Sequence, residues 1–154
     1  MPTRKKRSWT QKLQDSKDLP RTFPLIGKAA DKWGKGTMVI ARPLDVDALM
    51  RQVPKGKLTT INHLRAALAK QHHADTACPI TTGIFAWIAA HAAEESPRKP
   101  TPYWRTLKAG GQLNPKFPGG IPNLTKKLRA EGHTISHRGK NFYVKNFDQS
   151  LAQL

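Results

Sequence analysis

Apolar residues between positions 55 and 95 repeat with helical spacing, and this stretch organises the chain. In its first part they recur at i, i+3 and i+7 from Ile61 to Leu68, which is typical of one face of a helix. Thr59 or Thr60 comes directly before the run and can accept hydrogen bonds from the free N–H groups of the first turn. The pattern predicts a capped helix here.

A second helix is expected after a short interruption. Residues 71–79 break the apolar period, and Pro79 is incompatible with a helix interior. Thr81 or Thr82 is therefore expected to cap the next helix, in which Trp87 is interpreted as a core residue. Two capped helices joined by a short break indicate a helix-turn-helix.

Shorter elements flank this pair. A glycine-ended helix is expected over residues 123–131, and two β-rich runs around Arg138 and Lys140 predict a hairpin with a basic tip. The fold class is α+β, mainly helical, and winged-helix-like with a C-terminal β-hairpin. The other predicted elements are a helix within 8–17, a helix over 27–33, a strand over 37–40 and a helix capped by Asp45 or Asp47. The predicted organisation is a basic, partly disordered arm (1–20), an extension packed on the domain (21–52) and a DNA-binding domain (53–148).

Charge points to a polyanionic partner. The chain of 154 residues carries a formal net charge of +17, from 27 Lys and Arg against 10 Asp and Glu. Such a balance favours nucleic acid, because neutralising phosphates releases condensed counterions. The basic residues are concentrated in residues 98–140, where Glu131 is the single acid. No apolar stretch approaches membrane-spanning length. We expect a monomer that is cytoplasmic and associated with the nucleoid, with DNA and possible repair proteins as partners and no membrane partner.

An inventory of catalytic motifs is nearly empty. Cys78 precedes Pro79 at the helix junction, and a small buried cysteine is the favoured interpretation over a nucleophile. The six histidines lack metal-ligand spacing, and the glycines between Gly110 and Gly120 lack phosphate-binding spacing. The sequence thus predicts no catalytic residue, no metal and no cofactor.

Four motifs in order resemble one known family, the alkylguanine-DNA alkyltransferases and alkyltransferase-like proteins. Residues 53–60 (VPKGKLTT) are similar to the VPxGxVxTY segment that opens the family's DNA-binding domain, and residues 102–106 (PYWRT) stand where it has PCHRV or PWHRV. The stretch 108–121 resembles its xxxGxLxxFxGG loop, and residues 128–132 (LRAEG) resemble its LLxxEG helix end. The resemblance covers about half the chain.

The resemblance implies a helix-turn-helix that rotates an alkylated guanine into a pocket, but key positions depart from the family. Tyr103 stands at the alkyl-accepting cysteine and Trp104 at its histidine, so the usual transfer is not expected. Ile61 replaces the tyrosine that pushes the target phosphate, and the arginine that fills the vacated stack falls near Ile80.

The favoured function is therefore a non-catalytic DNA-binding protein that recognises alkylated or distorted DNA for repair. The expected contacts to the DNA backbone are Lys55, Lys57, Thr59, Thr60, Arg65, Thr81, Thr82, Lys126, Lys127, Arg138 and Lys140. The expected base pocket comprises Pro102, Tyr103, Trp104, Arg105, Phe117, Gly119, Gly120 and Glu131. Two alternatives stay open: an alkyltransferase that uses Cys78, and a basic RNA- or ribosome-associated protein.

Overall fold

The computed structural model describes residues 7–96 and 98–154, and within them the fold is α+β and mainly helical. Most of the basic run at positions 4–7 lies outside the described residues. The α-helices are α1 (Trp9–Gln14), α2 (Lys28–Trp33), α3 (Pro43–Arg51), α4 (Ile61–Gln71), α5 (Pro79–Glu95) and α6 (Gly120–Ala130). The strands are β1 (Arg21–Leu25), β2 (Gly36–Ile40), β3 (Thr59–Thr60), β4 (Thr76–Ala77), β5 (Thr106–Leu107), β6 (Ile135–Arg138) and β7 (Asn141–Val144).

Helices α4 and α5 form the predicted pair. The Thr60 hydroxyl accepts a hydrogen bond from the His63 N–H at 3.3 Å, which confirms Thr60 as the cap of α4. The predicted start of α5 is wrong, since the helix begins at Pro79 with Cys78 as its cap. A proline fits the first helical position because the N–H it lacks would have no partner there.

Thr82, predicted as a cap, lies one turn inside α5. Its hydroxyl donates to the Cys78 carbonyl at 2.7 Å. Asp45 was likewise expected to cap α3, but Arg42 holds the cap position. The Asp45 carboxylate accepts the Arg42 backbone N–H at 3.0 Å from inside the first turn. In both cases the polar residue lies inside the helix, and the cap position is held by the residue before the helix.

The N-terminal third is built on the helix pair. Strand β1, which the pattern did not predict, pairs antiparallel with β2, and β2 runs parallel to β4 at the junction of α4 and α5. Pro24 lies inside β1, a position that an edge strand tolerates because it needs no inward N–H there. Helix α1, predicted within residues 8–17, packs on α5 and buries Leu13.

The C-terminal part closes the domain. Strand β3 pairs with β5, which connects the segment before α4 to the segment after residue 102. The predicted hairpin is confirmed as β6 and β7, and the Leu113 N–H donates to the Phe142 carbonyl at 2.8 Å, so the hairpin supports the loop before α6. Gly111 allows Phe147 to pack against this loop, since a Cβ at that position would collide with the Phe147 ring.

One main core joins the helices and the C-terminal part. Leu64 and Leu68 of α4, Ala86 and Ala89 of α5 and Leu128 of α6 are buried together in it. The small residues of α5 let the helix pack closely on several neighbours at once, which leaves its larger side chains at the edges. In the part of the chain that is described, no helix is both long and apolar enough to span a membrane.

Candidate nucleic-acid interface

The motif at residues 102–106, which was predicted to line a base pocket, is buried at its centre. Tyr103 is 1% exposed, and its hydroxyl donates to the Glu94 carboxylate and accepts from Asn123 Nδ2 at 3.0 Å. Burial and the hydrogen bond to Glu94 raise the pKa of Tyr103 to about 12. The phenol thus stays neutral, at the position where the resemblance expects the alkyl-accepting cysteine.

The neighbours of Tyr103 are also in the core. Phe117 is 3% exposed and meets the Tyr103 ring edge-on at 6.2 Å between centroids, and Pro102 is buried. The prediction that Pro102, Tyr103 and Phe117 line a pocket is therefore wrong, because their rings pack against each other and against the helices. A sequence motif locates these residues along the chain, but it does not show which of their side chains face solvent.

Arg105 and Glu131 form a buried ion pair. The guanidinium donates from Nε and Nη2 to both oxygens of the Glu131 carboxylate, the shortest contact at 2.7 Å, and from Nη1 to the Val53 carbonyl at 2.8 Å. The side chains are only 13% and 7% exposed. Burial alone raises the pKa of Glu131, but the hydrogen bonds and the positive charge of Arg105 outweigh it and bring that pKa below its ordinary value. The pair holds the segment before α4 to the end of α6 and is largely shielded from solvent.

The two glycines of the motif shape the start of α6. Gly119 caps the helix with a left-handed φ of 74°, and a Cβ there would lie 2.5 Å from Asn123 Cβ. Asn123 then donates to the Pro118 carbonyl and to Tyr103, each at 3.0 Å. Gly120 is the first residue of α6. These glycines serve the packing around Tyr103. Trp104 is half-buried, with Lys127 Nζ at 4.6 Å from its ring centroid.

An open cleft of about 460 Å³ lies between the first half of α5 and the loop of residues 108–116. The helix contributes small and apolar surface, and the loop contributes two lysines and an amide. Its lining residues are Ile80, Gly83, Ile84, Trp87, Lys108, Asn114, Pro115 and Lys116. Apolar walls with a few polar groups at the rim are typical of small-ligand sites.

Two isoleucines stand exposed at the entrance of the cleft. Ile80 is 55% exposed and Ile84 is 45% exposed, although large apolar side chains are usually buried. Together with Trp87 they follow the spacing i, i+4 and i+7 along one face of α5. Sequence reasoning assigned Trp87 to the core and missed this face. The helical spacing was a usable signal, but it does not distinguish a buried face from a cleft.

The residues predicted to contact the DNA backbone differ in their exposure to solvent. Lys55, Lys57, Lys126, Arg138 and Lys140 are exposed, and Thr81 and Lys127 are half-buried. These residues stay predicted DNA contacts.

The threonines are different. Thr59, Thr60 and Thr82 are at most 3% exposed, and the Thr82 N–H donates to the Cys78 carbonyl at 3.1 Å, so their side chains and this N–H are not available for the predicted contacts to the DNA backbone. Arg65 is turned inward and donates to the Ala77 carbonyl at 2.9 Å and to Thr76 Oγ1 at 3.3 Å, which ties α4 to β4.

Cys78 belongs to a small core and not to the cleft. It is 8% exposed and clusters with Leu25 and Met38, and its N–H donates to the Val39 carbonyl at 3.0 Å. The favoured interpretation as a buried structural cysteine is confirmed. Within residues 7–96 and 98–154, no cluster of three or more His, Cys, Asp or Glu side chains is arranged to hold a metal ion.

Solved structures with the same fold come from S. pombe. One is the crystal structure of Atl1 in complex with damaged DNA containing O6-carboxymethylguanine, and another is that of ATL in complex with DNA. Each has a TM-score of 0.55 and 16% sequence identity, covering 73% of this chain and 94% of the other. The similarity is one of fold. No family model matches the chain, and no curated protein matches it in sequence.

Proposed function

We propose that this protein binds duplex DNA through α4 and α5 and recognises alkylated or distorted DNA for repair, without transferring a group to itself. The observation that carries the proposal is the open cleft on α5, with exposed isoleucines at its entrance and lysines at its rim. The S. pombe proteins that share the fold were solved bound to DNA, one to a modified guanine, which supports the same class of ligand here.

Positive charge would first attract the DNA to the binding surface. A net charge of +17 attracts the phosphate backbone, and Lys108 and Lys116 stand on the loop side of the cleft. A base displaced from the stack would then meet the Trp87 indole and the aliphatic side chains of α5. Stacking on an aromatic ring is worth about 1–3 kcal/mol per base, which is enough to prefer a distorted duplex over a regular one.

Ile80 would fill the gap that the displaced base leaves. Apolar wedges between base steps are a recurrent device in proteins that kink DNA from the minor groove. Ile80 is exposed in the first turn of α5, beside the cleft, so one helix end supplies both the wedge and part of the pocket wall.

Group transfer is not part of the proposal. The position of the family's cysteine holds the buried Tyr103, whose raised pKa opposes formation of a phenolate nucleophile. The one thiol of the chain, on Cys78, is buried and does not line the cleft. Recognition by shape and charge needs neither group.

Fluorescence anisotropy tests the proposal. Two short duplexes that differ by a single O6-alkylated guanine are titrated with the full chain across a salt series, with structured RNA as competitor. We expect tighter binding to the modified duplex at every salt concentration. Equal binding to both duplexes would contradict recognition of the lesion, and stronger competition by RNA than by duplex DNA would contradict the choice of DNA.

A further inference from the structure

The N-terminal helix is fastened to the far end of α5. The Glu95 carboxylate accepts hydrogen bonds from the backbone N–H groups of Trp9 at 3.1 Å and Thr10 at 2.8 Å, and from the Thr10 hydroxyl at 2.9 Å. Acceptors at a helix N-terminus satisfy N–H groups that have no partner within the helix. Leu13 adds a buried apolar contact. Helix α1 is thereby held in one orientation against α5.

This orientation places the Trp9 ring in an aromatic cluster with Trp87 and His91. Trp9 stacks on the His91 ring at 4.5 Å with an interplanar angle of 22°, and it meets Trp87 edge-on at 4.6 Å and 82°. Trp87 and His91 also contact each other edge-on at 5.4 Å. Each ring therefore restricts the other two, and Trp9 is the member that comes from outside α5.

The polar ends of the cluster converge on the opposite wall of the cleft. Trp87 Nε1–H donates to the Lys116 carbonyl at 3.2 Å, and His91 Nε2 lies 3.2 Å from the same oxygen. A carbonyl oxygen only accepts, so His91 carries its hydrogen on Nε2. The Lys116 N–H in turn donates to Asn114 Oδ1 at 3.0 Å. The loop wall of the cleft is thus fixed to α5 through Trp87 and His91.

We propose that Trp9 is a positioning residue for the cleft. By holding the Trp87 and His91 rings, Trp9 sets the distance between α5 and the loop at Lys116, and so the width of the space offered to a displaced base. Trp9 lies outside residues 53–132, which carry the family resemblance, so the N-terminal segment becomes part of the recognition site. This inference rests on the proposed function of the cleft.

The test compares Trp9→Ala with Trp9→Phe in the full chain. The measured quantity is the ratio of dissociation constants for the unmodified and the O6-alkylguanine duplex, with the salt dependence of each. We expect Trp9→Ala to lower the ratio about fivefold, the scale of one aromatic pair, and to leave binding of the unmodified duplex and its salt slope unchanged. Trp9→Phe keeps a stacking ring and should retain most of the ratio. The matched control is Trp33→Ala, which removes the tryptophan of α2 and should leave the ratio unchanged.

A spectroscopic measurement follows the geometry independently of DNA. Proton NMR should show slow solvent exchange of the Trp87 indole N–H in the wild type, where it donates to the Lys116 carbonyl, and faster exchange in Trp9→Ala. If Trp9→Ala does not fold, Glu95→Gln weakens the attachment of α1 more mildly and should lower the ratio in the same direction.

An unchanged ratio in Trp9→Ala, or in Glu95→Gln if that variant is the one used, would overturn the inference, and so would an unchanged exchange rate of the Trp87 indole N–H. A wild type that does not distinguish the duplexes would instead contradict the proposed function.

Discussion

The segment 102–119 has two sides that differ in their exposure to solvent. On the inner side, Tyr103 and Phe117 are buried against α5 and α6, and Arg105 is paired with Glu131. On the outer side, Trp87 and Lys116, joined by the hydrogen bond from the indole to the Lys116 carbonyl, line an open cleft. The residues at the positions that the resemblance assigns to the family's chemistry are the packed ones, whereas the open surface includes Trp87 and Lys116, which are not among the predicted contacts. Motif position and solvent access are therefore separate properties.

The buried ion pair should give the largest effect on stability and none on selectivity. Glu131→Gln leaves the Arg105 guanidinium buried without its counter-charge, which typically costs about 3 kcal/mol or more. Chemical denaturation should show this loss, while the folded fraction keeps its preference for a modified duplex. A selective loss of binding to the modified duplex would instead place Glu131 in the recognition site.

Trp87→Ala should act in the opposite way. It removes the aromatic wall of the cleft and the hydrogen bond to the Lys116 carbonyl. Binding to the modified duplex should weaken roughly tenfold, since stacking of one base is worth about 1–3 kcal/mol, and binding to the unmodified duplex should change little. Trp104→Ala is the matched control on the packed side. If Trp104→Ala lowers selectivity and Trp87→Ala does not, the assignment of the two sides is reversed.

Lys116→Ala tests the charge at the rim of the cleft. Removing one phosphate contact should weaken binding to both duplexes equally and reduce the slope of log affinity against log salt by about 0.9. Lys70, in a separate groove between α4 and the C-terminal residues, provides the control substitution to alanine. An unchanged slope for Lys116→Ala, or an equal change for Lys70→Ala, would count against a specific phosphate contact at the cleft.

The attachment of α1 should depend weakly on pH. Hydrogen bonds from the Thr10 N–H and hydroxyl hold the pKa of Glu95 below its ordinary value of 4.5. A carboxylate whose pKa is lowered by folding stabilises the folded state fully above 4.5, and that contribution disappears as the pH falls through the lower folded value. Tryptophan fluorescence should therefore report loosening of the Trp9 cluster only in this acidic range. Glu95→Gln should lack this transition, and its persistence in that variant would assign it to another group.

Sequence reasoning succeeded where structure is local. Thr60 and the apolar period of α4 predicted that helix correctly, and the hairpin β6–β7 followed from its β-rich runs. It failed where the outcome depends on contacts between distant segments. Strand β1 has little alternation and contains Pro24, so only its pairing with β2 defines it.

The candidate site shows the same limit. The resemblance assigned Tyr103 to a motif but could not show that the ring is buried, with its hydroxyl bonded to Glu94 and Asn123. The contact of Trp9 with Trp87 joins the N-terminal helix to α5, and no local pattern encodes it. Charge, by contrast, is a property of composition alone, so the expectation of a polyanionic partner needed no structure.

The most direct test of the account uses the four tryptophans of the chain, whose indole N–H signals can be followed by NMR during titration. An O6-alkylguanine duplex should shift the Trp87 signal, and with it that of Trp9, more than the unmodified duplex does. The Trp104 signal should respond to both duplexes alike. A Trp104 signal that alone distinguishes the two duplexes, with Trp87 unchanged, would contradict the central claim that the open cleft on α5 is the recognition site.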